Sequence, residues 1–293
     1  MPPLTSSMCG LPIIVLYHDR IAFGMDLFSI IVLGLVQGIT EWIPISSKTQ
    51  VTLVYLQFLG GSPSLVIPIL LYSHLGTLFA ASIYFRNEIR AIFDTILSNP
   101  FNYRTYTTGR NGFLITAILF TGLAGIPILY LEKTTLPNLN GASLFALMGI
   151  GLILTGLLLF SQKKQQFRRS ENVDWKDGVF TGLLQGLSTL PGVSRAGTTS
   201  TALIWRSFDS ESAFQLSFLL SIPSVVMAEI LFNLFSQTGN LPVMDGISLT
   251  ISSFIFGYLS LDIILSLVKR INIAYLAMLL GALIIIVAYF QYG

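Results

Sequence analysis

Residues 37–50 read QGITEWIPISSKTQ and interrupt an apolar segment that begins near Leu27. A carboxylate (Glu41), two hydroxyls (Ser46, Ser47) and an ammonium (Lys48) follow one another at a depth where the flanking sequence calls for lipid. A charged side chain at the bilayer centre costs roughly 2.5–3.5 kcal/mol even on insertion scales, so these groups face protein or water. Pro44 removes one backbone donor and breaks the helix at the same point, which frees carbonyls to line a cavity. The stretch therefore predicts a site on a broken helix rather than a plain membrane span.

A second stretch repeats it. Residues 182–195 read GLLQGLSTLPGVSR, against GLVQGITEWIPISSK at 34–48. Gly34, Leu35, Gln37 and Gly38 match Gly182, Leu183, Gln185 and Gly186; after a one-residue gap, Pro44, Ser47 and Lys48 match Pro191, Ser194 and Arg195. Two interrupted apolar segments in corresponding halves point to a binding site at the interface of an internal repeat.

Composition agrees with a membrane setting. Hydrophobic residues make up 53% of the 293 residues and charged ones only 10%, with a mean hydropathy of +0.75, which excludes an ordinary soluble enzyme. The single cysteine, Cys9, leaves no intrachain disulfide framework or cysteine metal site, and the two histidines, His18 and His74, are too few for a histidine cluster.

Residues 1–24 read as an N-terminal extension. The apolar run 11–17 is too short to span and has no basic region before it, so a signal peptide fits poorly, and Met25 followed by Asp26 reads as an alternative start. Residues 27–60 then form a bent apolar unit, followed by spans at 65–85, 112–131 and 142–160 around a polar stretch at 86–110. The basic linker 161–178 leads to a second bent unit at 179–205 and spans at 214–235, 247–268 and 273–290. The expected fold is an all-α polytopic membrane protein with six transmembrane helices plus two re-entrant helical hairpins, divided into repeats at 25–162 and 163–293. Three crossings per half put the halves in opposite orientations, an inverted repeat.

The basic residues test that topology. It places Arg86, Arg90, Arg104, Arg110, the five lysines and arginines of the linker, Arg206, Lys269 and Arg270 on one side, against only Arg20 and Lys133 on the other. The rich side is then cytoplasmic, with both termini and the mouth of the first hairpin facing outward from the cell membrane.

In this arrangement the hairpin tips bring Glu41, Ser46, Ser47, Lys48, Ser194 and Arg195 together. Arg195 offers a planar fork suited to phosphate, and Lys48 adds a point charge. Backbone N–H groups around Gly192 and Gly197 form an anion nest or helix start, with Thr198 and Thr199 as further donors. Hydrolysis needs a nucleophile and a base; a serine hydroxyl and Glu41, the sole carboxylate of the first hairpin, supply both types. Glu41 is equally a candidate ligand for a divalent cation (Mg²⁺ or Ca²⁺) bridging phosphate oxygens, and a neutralising pair with Arg195 is a third reading. The bland readings are packing for Thr40, Ser46, Ser188 and Thr189, a hydrogen-bonded structural role for His74, and snorkelling or local pairing for Glu229 and Asp262.

At these residues the chain resembles the undecaprenyl-diphosphate phosphatase, or bacitracin-resistance, family. The two boxes stand here as QGITEWIPISS (37–47) and PGVSRAGTT (191–199), in the family's order, and the resemblance covers about residues 26–293. It implies a membrane phosphatase that removes the terminal phosphate of a polyprenyl diphosphate to recycle a lipid carrier, with six spans and two re-entrant hairpins. It implies Glu41 as the essential acid, Ser47 as nucleophile or phosphate ligand, and Arg195 as the phosphate clamp. The chain departs from the pattern with Gln37 where many members carry glutamate. It also has Thr49 and Gln50 where Gly-His is usual, which excludes a histidine at position 50 and favours the serine route. Its SSKTQ variant resembles archaeal members, which implies an undecaprenyl- or dolichyl-type lipid. A homodimer and no nucleic-acid partner are expected. The competing reading is a polyprenyl-phosphate flippase that carries the lipid without hydrolysis.

Overall fold

The computed structural model describes residues 25–135, 141–162, 167–235, 241–267 and 273–292. The extension 1–24 and the basic residues Arg20, Lys163, Lys164, Lys269 and Arg270 lie outside the described residues.

The first bent unit is α1 (Leu27–Thr40) followed by α2 (Ser47–Leu53). Asp26 caps α1, its carboxylate accepting from Ser29 N at 2.6 Å. Between the helices the chain turns through Pro44 to Ser46, which takes a left-handed conformation with φ 60°. After α2 the helix loosens into a π-helical turn, Val54–Phe58. Then come α3 (Val66–Tyr84), α4 (Arg86–Ser98), α5 (Tyr103–Thr107), α6 (Gly109–Thr135) and α7 (Gly141–Phe160).

The second bent unit is α8 (Trp175–Gly186), a 3-10 turn (Leu187–Thr189) and α9 (Arg195–Trp205). A reciprocal capping box between Asp174 and Asp177 starts α8. Pro191 and Gly192 turn the chain back; Gly192 has φ +85°, and a Cβ there would lie 2.0 Å from the carbonyl oxygen of Met148. The remaining helices are α10 (Ser210–Phe235), α11 (Val243–Leu267) and α12 (Ile273–Tyr292).

Six helices among the described residues are long and apolar enough to cross a membrane: Pro63–Tyr84, Gly109–Leu131, Gly141–Phe160, Ser210–Leu231, Val243–Leu267 and Ile273–Phe290. They fall where the apolar runs predict. The stretch 86–110, expected as a polar segment, instead contains α4. Its Ile89, Ile92, Phe93 and Leu97 recur at helical spacing, and Phe93 and Leu97 stay exposed, the pattern of a helix lying along an apolar–polar boundary.

Helix packing relates the halves. α8 runs along α6, and α1 runs along α11; α7 packs on α12 and α3 on α10. The glycines shared by the two bent units sit at the first two contacts. A Cβ on Gly38 would come within 2.5 Å of Gly257 N, and one on Gly182 within 2.3 Å of the Ala117 carbonyl oxygen. Small residues let helix backbones approach this closely, and in lipid such packing replaces the hydrophobic drive.

Three apolar clusters hold the first bend. Trp42 enters the largest, its ring tilted against Phe218 with centroids 5.3 Å apart and its indole N–H donated to the Gly257 carbonyl at 3.0 Å. Ile45 enters a second cluster with Met148, Leu152 and Ala277, and Val51 a third with Leu33, Ile69 and Leu249. With anchors on both sides, the polar residues 46–50 have little freedom.

Candidate active site

Glu41 sits where α1 ends, 8% exposed. Its Oε2 accepts from Ser47 Oγ at 2.6 Å and from Gln37 Nε2 at 3.0 Å, and lies 3.5 Å from His74 Nε2. Its Oε1 accepts from an Arg195 guanidinium nitrogen at 2.5 Å. Gln37 is one helical turn before Glu41, Ser47 is the first residue of α2, His74 belongs to α3 and Arg195 begins α9. Two broken helices and one span thus converge on one carboxylate. A hydroxyl on a carboxylate is the nucleophile–base pairing of acyl and phosphoryl transfer, and a charge-assisted bond on the other oxygen keeps the carboxylate oriented.

The second unit supplies charge and shape. Besides Glu41, Arg195 bonds the Ser217 carbonyl through its other terminal nitrogen at 3.2 Å. Lys48 reaches across to the Ser188 carbonyl at 3.2 Å. Gln185, the sequence match of Gln37, donates to Thr121 Oγ1 at 2.9 Å and Ser224 Oγ at 2.8 Å, and Gln37 reaches Thr77 Oγ1 at 3.5 Å, so each glutamine ties its bent unit to a neighbouring span.

A cavity of about 180 Å³ opens at these groups. Of the residues expected in the site, Glu41, Ser46, Ser47, Lys48, Ser194 and Arg195 line it; Gln37, Gln50, Gly192, Gly197 and Thr198 do not. Gln37 stands behind Glu41. Gln50 turns to the Ile45 carbonyl at 3.0 Å and braces the bend. Ser194 caps α9, taking the Gly197 N–H at 3.2 Å on its hydroxyl and the Thr198 N–H at 2.9 Å on its carbonyl, while Thr198 and Thr199 hydroxyls donate to the Arg195 carbonyl. Those N–H groups and hydroxyls are therefore engaged by the helix start itself, the second of the two readings for this stretch. Gly192 instead makes the turn.

Thr40, Ser46, Ser188 and Thr189, expected as packing residues, all line the cavity. The hydroxyls of Thr40, Ser188 and Thr189 donate to carbonyls of their own helical turns, and Ser46 pairs with Thr49 at 3.1 Å. Asp262 pairs locally, accepting from Tyr84 Oη at 2.5 Å. Glu229 lines the cavity. His74 has the hydrogen bond expected of a structural histidine, Nδ1 to the Leu70 carbonyl at 2.6 Å, but its other nitrogen faces Glu41. Nothing in the linear sequence joins positions 41 and 74.

From the polar groups the cavity follows α3 back from His74 to Ile67, α6 on from Thr121 to Leu129, and α10 on from Ser224 to Leu231. Its walls there are mainly aliphatic, with Leu70, Leu71, Ile126 and Met227.

Among the described residues no group of three histidine, cysteine or acidic side chains could hold a metal ion. Glu41 brings one carboxylate, already engaged by a guanidinium and a hydroxyl and flanked by an imidazole. Hard divalent cations need several anionic or neutral oxygens, so this donor set alone does not fit one.

Fold and site together define a polytopic helical membrane protein with a pocket that gathers an arginine, a lysine, carboxylates and hydroxyls and continues between aliphatic walls. The bacitracin resistance protein BacA family model matches residues 30–286, and the chain belongs to that family. It is 36% identical over 264 residues to an undecaprenyl-diphosphatase of Methanococcoides burtonii, covering 88% of this chain and 97% of that protein. Proteins of the same name from Haloarcula marismortui (36% over 241 residues; 82% and 89% covered) and Methanothrix thermoacetophila (33% over 257; 88% and 95%) are similarly related.

Proposed function

We propose that the protein hydrolyses a polyprenyl diphosphate of undecaprenyl or dolichyl type to the monophosphate and inorganic phosphate, within the membrane. The observation that carries this reading is the Ser47 Oγ–Glu41 Oε2 hydrogen bond of 2.6 Å, with Arg195 on the second carboxylate oxygen, at the wall of a cavity that continues between aliphatic side chains. The aliphatic channel suits the isoprenoid, and Arg195 and Lys48 suit the diphosphate.

In the mechanism, the terminal phosphate binds Arg195 beside Glu41, which keeps its guanidinium contact on Oε1. Ser47 Oγ attacks the terminal phosphorus as Glu41 takes its proton, and the bond to the bridging oxygen breaks, its electron pair leaving on the lipid monophosphate. Once Glu41 has passed that proton on, ultimately to the phosphate product, it takes a proton from the water that cleaves the phosphoserine and returns it to Ser47 Oγ. The test is phosphate release from undecaprenyl diphosphate by purified protein in detergent, with Ser47→Ala and Glu41→Gln, each with Mg²⁺ or Ca²⁺ and with chelator. Release that persists in Ser47→Ala sinks the serine route. A carrier would need the cations for headgroup binding but has no use for a hydroxyl held on a carboxylate.

The inverted repeat and the re-entrant course of both bent units are part of the same proposal. α1 has 14 residues and α8 has 12, so they rise about 21 Å and 18 Å, short of the roughly 30 Å hydrocarbon core. The α1–α11 contact also repeats the α8–α6 contact with the halves exchanged. With the basic loops cytoplasmic, the end of the cavity near Ile67 and Leu129 lies toward the outer face.

A further inference from the structure

We infer that His74 is the proton acceptor behind Glu41, taking at Nε2 the proton that Ser47 gives up; this rests on the hydrolase reading above.

The tautomer follows from the neighbours. Nδ1 lies 2.6 Å from the Leu70 carbonyl oxygen, which only accepts, so Nδ1 carries hydrogen. Nε2 is then the atom that gains or loses a proton, and it lies 3.5 Å from Glu41 Oε2, the same oxygen that receives Ser47 Oγ. With no proton between them, a carboxylate oxygen and an imidazole lone pair face each other. One proton, on either atom, turns that repulsion into a hydrogen bond. The contact is longer than a formed hydrogen bond, as is common before substrate tightens a site.

Arg195 decides which atom holds the proton. Its guanidinium on Oε1 favours the ionised carboxylate, so a proton arriving at Oε2 moves on to Nε2. As the bond from Ser47 Oγ to the terminal phosphorus forms and the bond from phosphorus to the bridging oxygen breaks, the proton passes from Oγ to Oε2 to Nε2. The electron pair leaves on the lipid monophosphate. When water cleaves the phosphoserine, one water proton returns to Ser47 Oγ and the imidazolium gives its proton to the phosphate product. His74 lines the cavity, so that product is within its reach.

Other charges facing His74 are those of Lys48 on α2 and Arg195 on α9. Glu229 on α10 lines the same cavity. On α11, which packs along α3, Asp262 is engaged by Tyr84 and Asp245 by Met25 N at 2.7 Å, and α1 carries no charge.

The test is the pH dependence of kcat/KM for undecaprenyl diphosphate in detergent. It compares wild type, His74→Gln, and His74→Ala with and without added imidazole, each checked for an unchanged unfolding midpoint. Glutamine keeps an N–H for the Leu70 carbonyl and a similar volume, so a purely structural role leaves His74→Gln near the wild-type rate. The expected result is a fall of about 100-fold or more in kcat with KM within about threefold, as for loss of a general base. The rising limb of the wild-type profile should disappear, and His74→Ala should recover in proportion to imidazole free base. A near-wild-type rate in His74→Gln, or the same rising limb in that variant, overturns the assignment while leaving Ser47-dependent turnover intact. Absence of phosphate release from wild type at every pH overturns the hydrolase reading itself, and this inference with it.

Discussion

Among the described residues two buried carboxylates meet arginine, Glu41 and Asp177, and they serve opposite ends. Asp177 is fully enclosed near the start of α8. Both its oxygens accept from Arg168 (2.8 and 2.6 Å), and Arg206 Nε and Asp174 N add bonds at 2.8 and 3.0 Å. Arg168 in turn lies over the Phe208 ring, and its backbone pairs with Ser207 and Asp209, so this cluster ties the basic linker to the turn between α9 and α10. Glu41 has one guanidinium instead of two, and its other partners are a hydroxyl, an amide and an imidazole beside a cavity. Saturation by fixed charges makes a structural joint; partners that move protons, next to space for a ligand, make a site.

Predictions follow the contrast in order of size. Ser47→Ala should lower phosphate release by about 10⁴-fold or more while lipid binding, read by equilibrium binding in detergent, stays near wild type, as removal of a nucleophile does. Glu41→Gln should fall by about 10³-fold, with its unfolding midpoint lowered less than that of Asp177→Asn, because Glu41 meets one guanidinium rather than two and glutamine still accepts from Ser47. Comparable loss of thermal stability would erase the distinction from Asp177.

Asp177→Asn should do the reverse. Breaking one side of a buried ion pair costs about 3–5 kcal/mol, so the unfolding midpoint should drop strongly while turnover per folded molecule at low temperature stays within a few-fold. pH sharpens the point. Burial pushes the Asp177 carboxyl up, but the Arg168 and Arg206 bonds outweigh it and hold the pKa below the usual carboxylate value. A depressed carboxylate stabilises the fold above its unfolded pKa and loses that contribution as pH falls through the folded value. Thermal scans of wild type should therefore show an acid-side loss of stability that Asp177→Asn reduces.

Lys48→Ala should raise KM for the diphosphate by about tenfold with kcat nearly kept, since a point charge without a fork contributes binding more than orientation. Gln50→Ala should change turnover by less than about threefold, because Gln50 braces the Ile45 carbonyl away from the cavity. A larger loss there would place position 50 in the chemistry.

The six spans were legible because each is a long, predominantly apolar run, and the two site boxes because clustered polar residues in such runs have few other uses. α4 was hidden by its charges, which mask an apolar face visible only at helical spacing. Of the nest or helix start read around Gly197, the structure shows the helix start: Ser194, as the cap of α9, takes the Gly197 and Thr198 N–H groups. Arg168 and Arg206, legible only as positive charge on one side, proved to be partners of one aspartate.

By itself the sequence determined the membrane setting, the positions of the spans, the pairing of two bent units and the residue types of the site. Local composition and spacing carry all of these. Only the tertiary structure decided which polar groups meet. Glu41 lies 154 residues from Arg195 and 33 from His74, and the shared contacts exist because close helix packing at glycines brings α1, α3 and α9 to one point. Such proximity depends on how helices cross, and no linear spacing encodes it.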